Sequence, residues 1–270
     1  MNILDKIVLR KREEVAWLKE KSSLKELEGR AHFSRKPYSL AQALRGHQDS
    51  HMPGIIAEFK QKSPSKGVIN ATADVQQTVE GYVRAGAAAL SILTDQDFFA
   101  GSDENLYNAR EQVDCPILRK DFTIDPYQVF EAKAIGADAI LLIAAILSPA
   151  EVKQLAGFAC DMGLEVLLEV HNEEELRRTA LDDQIAPLIH VVGVNNRDLK
   201  TFEVSIQTSI HLAKLMPEQM VRISESGISD PENIRTLMQH GYEGFLIGET
   251  FMKQPNPADA CQNFIQQLKA

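Results

Sequence analysis

From Pro53 onward the chain repeats one alternation: a short run rich in Val, Ile and Leu, a polar or glycine-containing break, then a segment with apolar residues at helical spacing. Nothing else in the sequence restricts the fold as strongly. Strands that alternate with helices build right-handed βαβ units and pair into a parallel sheet. The pattern predicts strands over 55–60, 89–93, 117–120, 139–143, 165–170, 190–195, 221–224 and 244–248, and helices over 72–85, 126–135, 149–162, 231–240 and 257–268. Several of these helices begin with proline, which is tolerated in the first turn because its missing N–H would have no partner there.

Eight strand–helix units over about 215 residues fit an α/β fold of one kind, a single closed (β/α)8 TIM barrel, whose usual size is near 250 residues. A doubly wound open sheet is the alternative. Against it, no Gly-x-Gly-x-x-Gly turn follows the first strand, and charged residues recur at most strand ends. No linker or low-complexity stretch marks a second domain.

Residues 1–50 have a different texture, rich in Lys, Arg and Glu. Ile3, Ile7, Val8, Val15 and Leu18, then Leu24 and Leu27, predict two amphipathic helices, and 33–43 a third. The expected organisation is a helical N-terminal extension (1–50) packed on a catalytic barrel (51–270), with Trp17 as a packing anchor.

Composition narrows the function classes. Apolar content of 44% and charged content of 25% are those of a soluble globular protein. No run is long enough to cross a bilayer, and residues 1–18 carry charge throughout with no apolar signal core, which places the chain in the cytoplasm. A net charge of −9 argues against nucleic acid or an anionic membrane as partner. An anionic ligand would need a local positive cluster. The expected partner is a phosphorylated small molecule, met by a monomer. Cys115, Cys160 and Cys261 are far apart and lack metal-ligand spacing, so they read as reduced, buried residues.

In a barrel of this kind the active groups sit at the C-terminal strand ends. Strand one ends in Glu58 and Lys60, strand three in Lys120, strand five in Glu169, and strand six in Asn195 with Arg197 beyond; Ser226 follows strand seven. With a period of two, Ile56, Glu58 and Lys60 share a face, Leu167 aligns with Glu169, Gly193 with Asn195 and Ser224 with Ser226. Charges aimed into a closed sheet are costly unless paired or used. Two lysines with two carboxylates form an acid/base set, in which positive neighbours or apolar walls would lower a lysine pKa. No metal and no cofactor is expected: His171 stands alone after strand five, and His190 reads as a satisfied core residue.

Glu225-Ser226-Gly227-Ile228 and Leu246-Ile247-Gly248-Glu249 place glycines where backbone N–H groups can approach an anion, at the corner where such barrels bind phosphate. The loop from Lys62 to Gly67 would close over it. Phe98, Phe99 and Phe122 follow strands two and three, in position to flank a ligand with an aromatic end.

The runs Ile-Ala-Glu-Phe-Lys-Gln-Lys-Ser-Pro-Ser (56–65), Leu-Arg-Lys-Asp-Phe (118–122), Leu-Glu-Val-His (168–171), Gly-Val-Asn-Asn-Arg-Asp-Leu (193–199) and Ser-Glu-Ser-Gly-Ile (224–228) together resemble the indole-3-glycerol phosphate synthase family across nearly the whole chain. That resemblance implies a carboxy-lyase of tryptophan biosynthesis, closing 1-(2-carboxyphenylamino)-1-deoxyribulose 5-phosphate to indole-3-glycerol phosphate. It implies Lys120 and Lys60 as acids, Glu169 as acid/base for the dehydration, and Glu58, Asn195 and Ser226 as positioning groups. Substrate would meet Arg197, Phe99 and Phe122. Phosphate would rest on Lys60, Ser63 and the N–H groups near Gly227, Gly248 and Glu249, with the Glu249 side chain turned outward. Two other readings stay open on the residues alone: a barrel aldolase with Lys120 as a Schiff-base nucleophile, and a silent barrel that senses a phosphorylated metabolite.

Overall fold

The computed structural model describes residues 3–46, 52–198 and 201–269. The expected junction after residue 50, and Leu199 at the end of one motif, lie outside the described residues. Three helices come first: α1 (Ile3–Lys21), α2 (Leu24–Glu28) and α3 (Leu40–Gly46). Then come eight strands, β1 (Gly54–Phe59), β2 (Ala89–Leu93), β3 (Ile117–Lys120), β4 (Ala139–Ile143), β5 (Glu165–Val170), β6 (Val191–Asn195), β7 (Arg222–Glu225) and β8 (Gly244–Ile247). Each pairs in parallel with its sequence neighbour, and β8 pairs back onto β1 with Leu246 opposite Ile56. The result is the closed (β/α)8 barrel, with every strand end within one residue of its expected place.

Helices fill the connections. α4 (Val75–Ala85) follows β1, α5 (Gln96–Phe99) and α6 (Asp103–Arg110) follow β2, and α7 (Pro126–Ala134) follows β3. α8 (Pro149–Asp161), α9 (Glu173–Arg178), α10 (Gln207–Ala213) and α11 (Pro231–Met238) follow β4 to β7, and α12 (Glu249–Met252) and α13 (Pro257–Lys269) follow β8. Their starts are written in the sequence. Asp125 with Gln128, and Ser148 with Glu151, form capping boxes just before a first-turn proline, which satisfies N–H groups that no helical carbonyl reaches.

The strand alternation divides the core in two. Ile55, Ala57 and Phe59 face the helices, whereas Ile56, Leu118, Leu141, Leu167, Ile223 and Leu246 fill the barrel interior. Glu58 continues the inner row of β1, so its carboxylate lies at the top of the barrel rather than on its flank.

The N-terminal helices engage both ends of the barrel. Ile7 of α1 packs on the inner core near Phe122 and Leu246, while Leu40 and Leu44 of α3 join the same core from the opposite end. A Cβ on Gly54 or Gly244, at the first positions of β1 and β8, would collide with Leu44. Between the two ends, Val15 and Leu27 pack on Tyr127 and Ala134 of α7. Asp138 accepts from Arg35 (2.6 Å) and the Tyr38 N–H (2.7 Å), and Glu165 from Ser39 Oγ (2.5 Å) and the Ala41 N–H (2.8 Å).

Three expectations are corrected. The third N-terminal helix begins at Leu40 and not at residue 33, because Ser39 Oγ caps it from the Gln42 N–H (3.0 Å) and Asp138 claims the backbone just before. Trp17 is no anchor: it is 56% exposed. The buried stripe of α1 runs through Ile7, Lys11 and Val15 at four-residue spacing, and a residue two beyond Val15 points the other way. Of the three free cysteines only Cys261 is buried; Cys115 and Cys160 are half-buried. Finally, the loop after β1 carries a small antiparallel hairpin, Lys62–Ser63 against Gly67–Val68.

Candidate active site

A cavity of about 450 Å3 opens at the C-terminal ends of the strands, and all thirteen site residues expected from the sequence line it. At its β1 side, Lys60 Nζ donates to Glu58 Oε1 at 2.6 Å, and Ser91 Oγ of β2 donates to the other Glu58 oxygen at 3.4 Å. Gly248 makes the room, since a Cβ there would overlap the Glu58 carboxylate.

Lys120 is the centre of the cavity floor. Its Nζ lies 3.0 Å from Glu169 Oε2 and 2.6 Å from Glu225 Oε2. Burial acts to lower its pKa, yet the carboxylates of Glu225, Glu169 and Glu58 outweigh that and hold it well above the usual lysine value. The sequence-based expectation of a depressed lysine pKa is therefore corrected: Lys120 is a retained ammonium. Glu169 shows the converse. Burial disfavours its charge, but Lys120, His171 and the amide of Asn195 (Nδ2 to Oε1, 3.1 Å) keep it ionised, far below the ordinary carboxylate range.

Glu225 is the charged cavity residue that sequence reasoning missed. It is 2% exposed, and burial, opposed by Lys120 and reinforced by Glu169 and Glu58, raises its pKa to about 7. The phase of β7 is the reason it was overlooked. Ser224 does not point inward but toward the helices, where its hydroxyl meets Asn196 Nδ2 and Ser209 Oγ, each at 2.8 Å. Ile223 belongs to the inner core, so Glu225 follows it inward as Glu169 follows Leu167. The signal was present in that apolar residue. A Cβ at Gly193 of β6 would also overlap Glu225 Oε1.

Ser226 reaches the cavity by leaving the strand geometry. It has φ +65° and Gly227 φ +72°, two successive left-handed residues just past the end of β7. For serine that conformation costs roughly 1–3 kcal/mol, the kind of local strain that collects at functional sites. Beside it, the first N–H groups of α12 have no helical acceptor. Lys66 and Arg197 stand at this corner, so an acidic protein does carry the local positive cluster that an anion needs. The Glu249 side chain, 37% exposed, lies 3.9 Å from Lys66 and 3.8 Å from Arg197. Arg197 also reaches Ser65 Oγ at 3.5 Å, bracing the hairpin loop.

Phe99 and Phe122 face each other across the rim at 6.0 Å, tilted by 41°; Phe98 packs on the inner core without lining the cavity. The N-terminal helix adds Ile3, Leu4 and Ile7 to the walls, which the sequence did not foretell. Lys11 locks that helix in place through Asp95 (3.0 Å), Asp121 (2.9 Å) and Glu14 (2.9 Å). Among the described residues no group of three or more His, Cys, Asp or Glu side chains could hold a metal ion. No helix among them is long and apolar enough to cross a membrane.

Fold and cavity define the class: a TIM-barrel enzyme whose strand ends bring ammonium, carboxylate, aromatic and anion-binding groups into one mouth. The family sequence profile described as indole-3-glycerol phosphate synthase matches residues 4–264. Relatives bearing that name include one from Bacteroides thetaiotaomicron, 47% identical over 268 residues (99% of each chain). Another, from Acinetobacter baumannii, is 46% identical over 259 residues (96% of this chain, 93% of that one). A third, from Bordetella pertussis, is 42% identical over 256 residues (95% and 96%). The chain belongs to the indole-3-glycerol phosphate synthase family. It is a carboxy-lyase of tryptophan biosynthesis and acts on a phosphorylated small molecule.

Proposed function

We propose that the cavity closes 1-(2-carboxyphenylamino)-1-deoxyribulose 5-phosphate to indole-3-glycerol phosphate with the following division of labour. Phe99 and Phe122 hold the aromatic ring. The phosphate is gripped by the N–H groups around Ser226, Gly227, Gly248 and Glu249, with Ser63, Lys60 and Arg197 closing on it. Fixing both ends brings the ring carbon to the ketone, a large share of the rate enhancement available to such a closure. The Lys120 ammonium polarises the ketone and protonates its oxygen as the carbon–carbon bond forms, in a site whose depth strengthens the interaction. Loss of carbon dioxide restores the aromatic ring. The new hydroxyl then departs as water with a proton from a lysine, Lys60 or Lys120, while Glu169 serves that step as acid/base. Glu58 and Asn195 orient the participants.

One observation carries this reading: Lys120 stands within 3.0 Å of two carboxylates, on strands far apart in sequence, in the same cavity as the left-handed Ser226–Gly227 turn. Two carboxylates beside an ammonium favour its charged form, and the proton that Glu169 takes up in the dehydration can restore it after a transfer. The same reading takes the chain to work as a cytoplasmic monomer, with residues 1–50 as an extension on the 51–270 catalytic unit. The test is incubation with the carboxyphenylamino-deoxyribulose phosphate while indole fluorescence is followed, with a parallel borohydride arm. Fluorescence without a trapped adduct supports the assignment, and a substrate adduct trapped on Lys120 sinks it in favour of Schiff-base chemistry.

A further inference from the structure

His171 follows β5 directly and does not line the cavity, yet its side chain is only 8% exposed and lies between two carboxylates. Nδ1 is 3.1 Å from Glu175 Oε2, and Nε2 is 3.2 Å from Glu169 Oε1, close but without the alignment of a hydrogen bond. Glu175 is itself clamped: the His171 N–H donates to its Oε2 at 2.8 Å and Asn172 Nδ2 to its Oε1 at 2.8 Å. A buried carboxylate held this firmly fixes the imidazole that leans on it.

We propose that His171 is a positioning residue for the reaction: as a cation braced by Glu175, it holds the Glu169 carboxylate in place and ionised, ready to accept a proton. The inference rests on the reading of Glu169 as the acid/base of the dehydration. Charge balance supports it. The groups facing this region are Glu169 on β5, Glu175 on α9, Lys120 on β3, Glu225 on β7, and Glu58 with Lys60 at β1. Without His171, two ammonium groups would face three carboxylates and Glu225, which is part-protonated near neutral pH. With it protonated, the negative excess falls to one at most, and the added positive charge lies beside the Glu169 oxygen that Lys120 does not touch. Burial opposes the charge on the ring, but Glu169 and Glu175 prevail and raise its pKa to about 10. An imidazolium beside Glu169 lowers the pKa of that carboxyl, so replacing it by a neutral group shifts protonation of Glu169 to higher pH.

The experiment compares His171→Gln, Glu175→Gln and Glu169→Gln with the unaltered enzyme, measuring kcat and KM across pH. It also follows the ring 15N shifts of His171 in the unaltered protein. His171→Gln keeps a donor but loses the charge. The expected result is KM within about twofold, kcat about tenfold lower at neutral pH because the Glu169 carboxylate is less firmly held, and the acid limb of kcat, which lies well below neutral pH, moved up by about one unit, the scale of one lost neighbouring charge. Glu175→Gln should move the limb in the same direction by less. A neutral imidazole at pH 7, or limbs unmoved in both the His171 and Glu175 variants, overturns the inference. If Glu169→Gln keeps full turnover, the reading of Glu169 falls instead, whatever the His171 variant does. If Glu169→Gln is slow while the other two profiles stay in place, only the role of His171 is lost.

Discussion

Lys120 Nζ and Glu225 Oε2 stand 2.6 Å apart at the bottom of the cavity, and the other oxygen of Glu225 has no hydrogen-bond partner among the described residues. A buried carboxylate left half-satisfied is costly. Here its free oxygen is itself buried and lies against Gly193 of β6, so the cost is concentrated in the floor of the barrel.

The pH dependence of stability tests that cost. Burial raises the Glu225 pKa from 4.5 to about 7, so the folded protein holds this proton more tightly than the unfolded chain. Its contribution is most favourable below pH 4.5 and is lost as pH rises through 7. Glu225→Gln should therefore gain stability relative to the unaltered protein between pH 5 and pH 8, by about 1 kcal/mol or more, or roughly 2–4 °C in Tm, while kcat drops. Thermal melts at the two pH values decide it. A gap that shrinks toward pH 8 refutes the account.

Lys120→Ala and Glu169→Gln should each lower kcat by at least about a hundredfold, the scale of general acid/base effects, with the far-UV spectrum unchanged. Steady-state assays suffice. Near-normal turnover in either variant removes that residue from proton transfer.

Lys11→Met leaves Asp95 buried without its cation and Asp121 with only Arg119 at 3.7 Å. Breaking a buried pair from one side typically costs about 3–5 kcal/mol, which urea titration would register. Because Ile3, Leu4 and Ile7 on the same helix line the cavity, KM should also rise. A variant as stable as the parent would show that the pairing contributes nothing net.

Glu249→Gln removes a negative charge from between Lys66 and Arg197 at the phosphate corner. The expected outcome is a KM several-fold lower with kcat little changed, consistent with about 1 kcal/mol for an exposed charge at 4 Å. Inorganic phosphate inhibition provides an independent reading. Weaker binding would instead mean that the carboxylate aligns the two cations.

The barrel was legible because its signals are local. Period-two runs, capping boxes and first-turn prolines each act within a few residues, and they placed all eight strands to within one residue. Most of the residues that line the candidate site were legible for the same reason, being polar groups at or just past strand ends. What escaped depends on geometry that no short window contains. The inward turn of Glu225 needed the phase of β7, which the positive φ of Ser226 disguised one residue later. The retained charge of Lys120 needed Glu169 and Glu225 brought from other strands. The burial of Lys11 needed two aspartates that lie roughly a hundred residues away, on loops after β2 and β3.

The seat of Leu44 has a consequence for how this polypeptide assembles. It rests against Gly54 and Gly244, the opening residues of the first and last strands, and these come side by side only when β8 has annealed to β1. A ribosome releases α3 long before it makes β8. The docking of α3 must therefore wait until β8 is made, and ring closure and plugging of the barrel base should be recorded as a single late event.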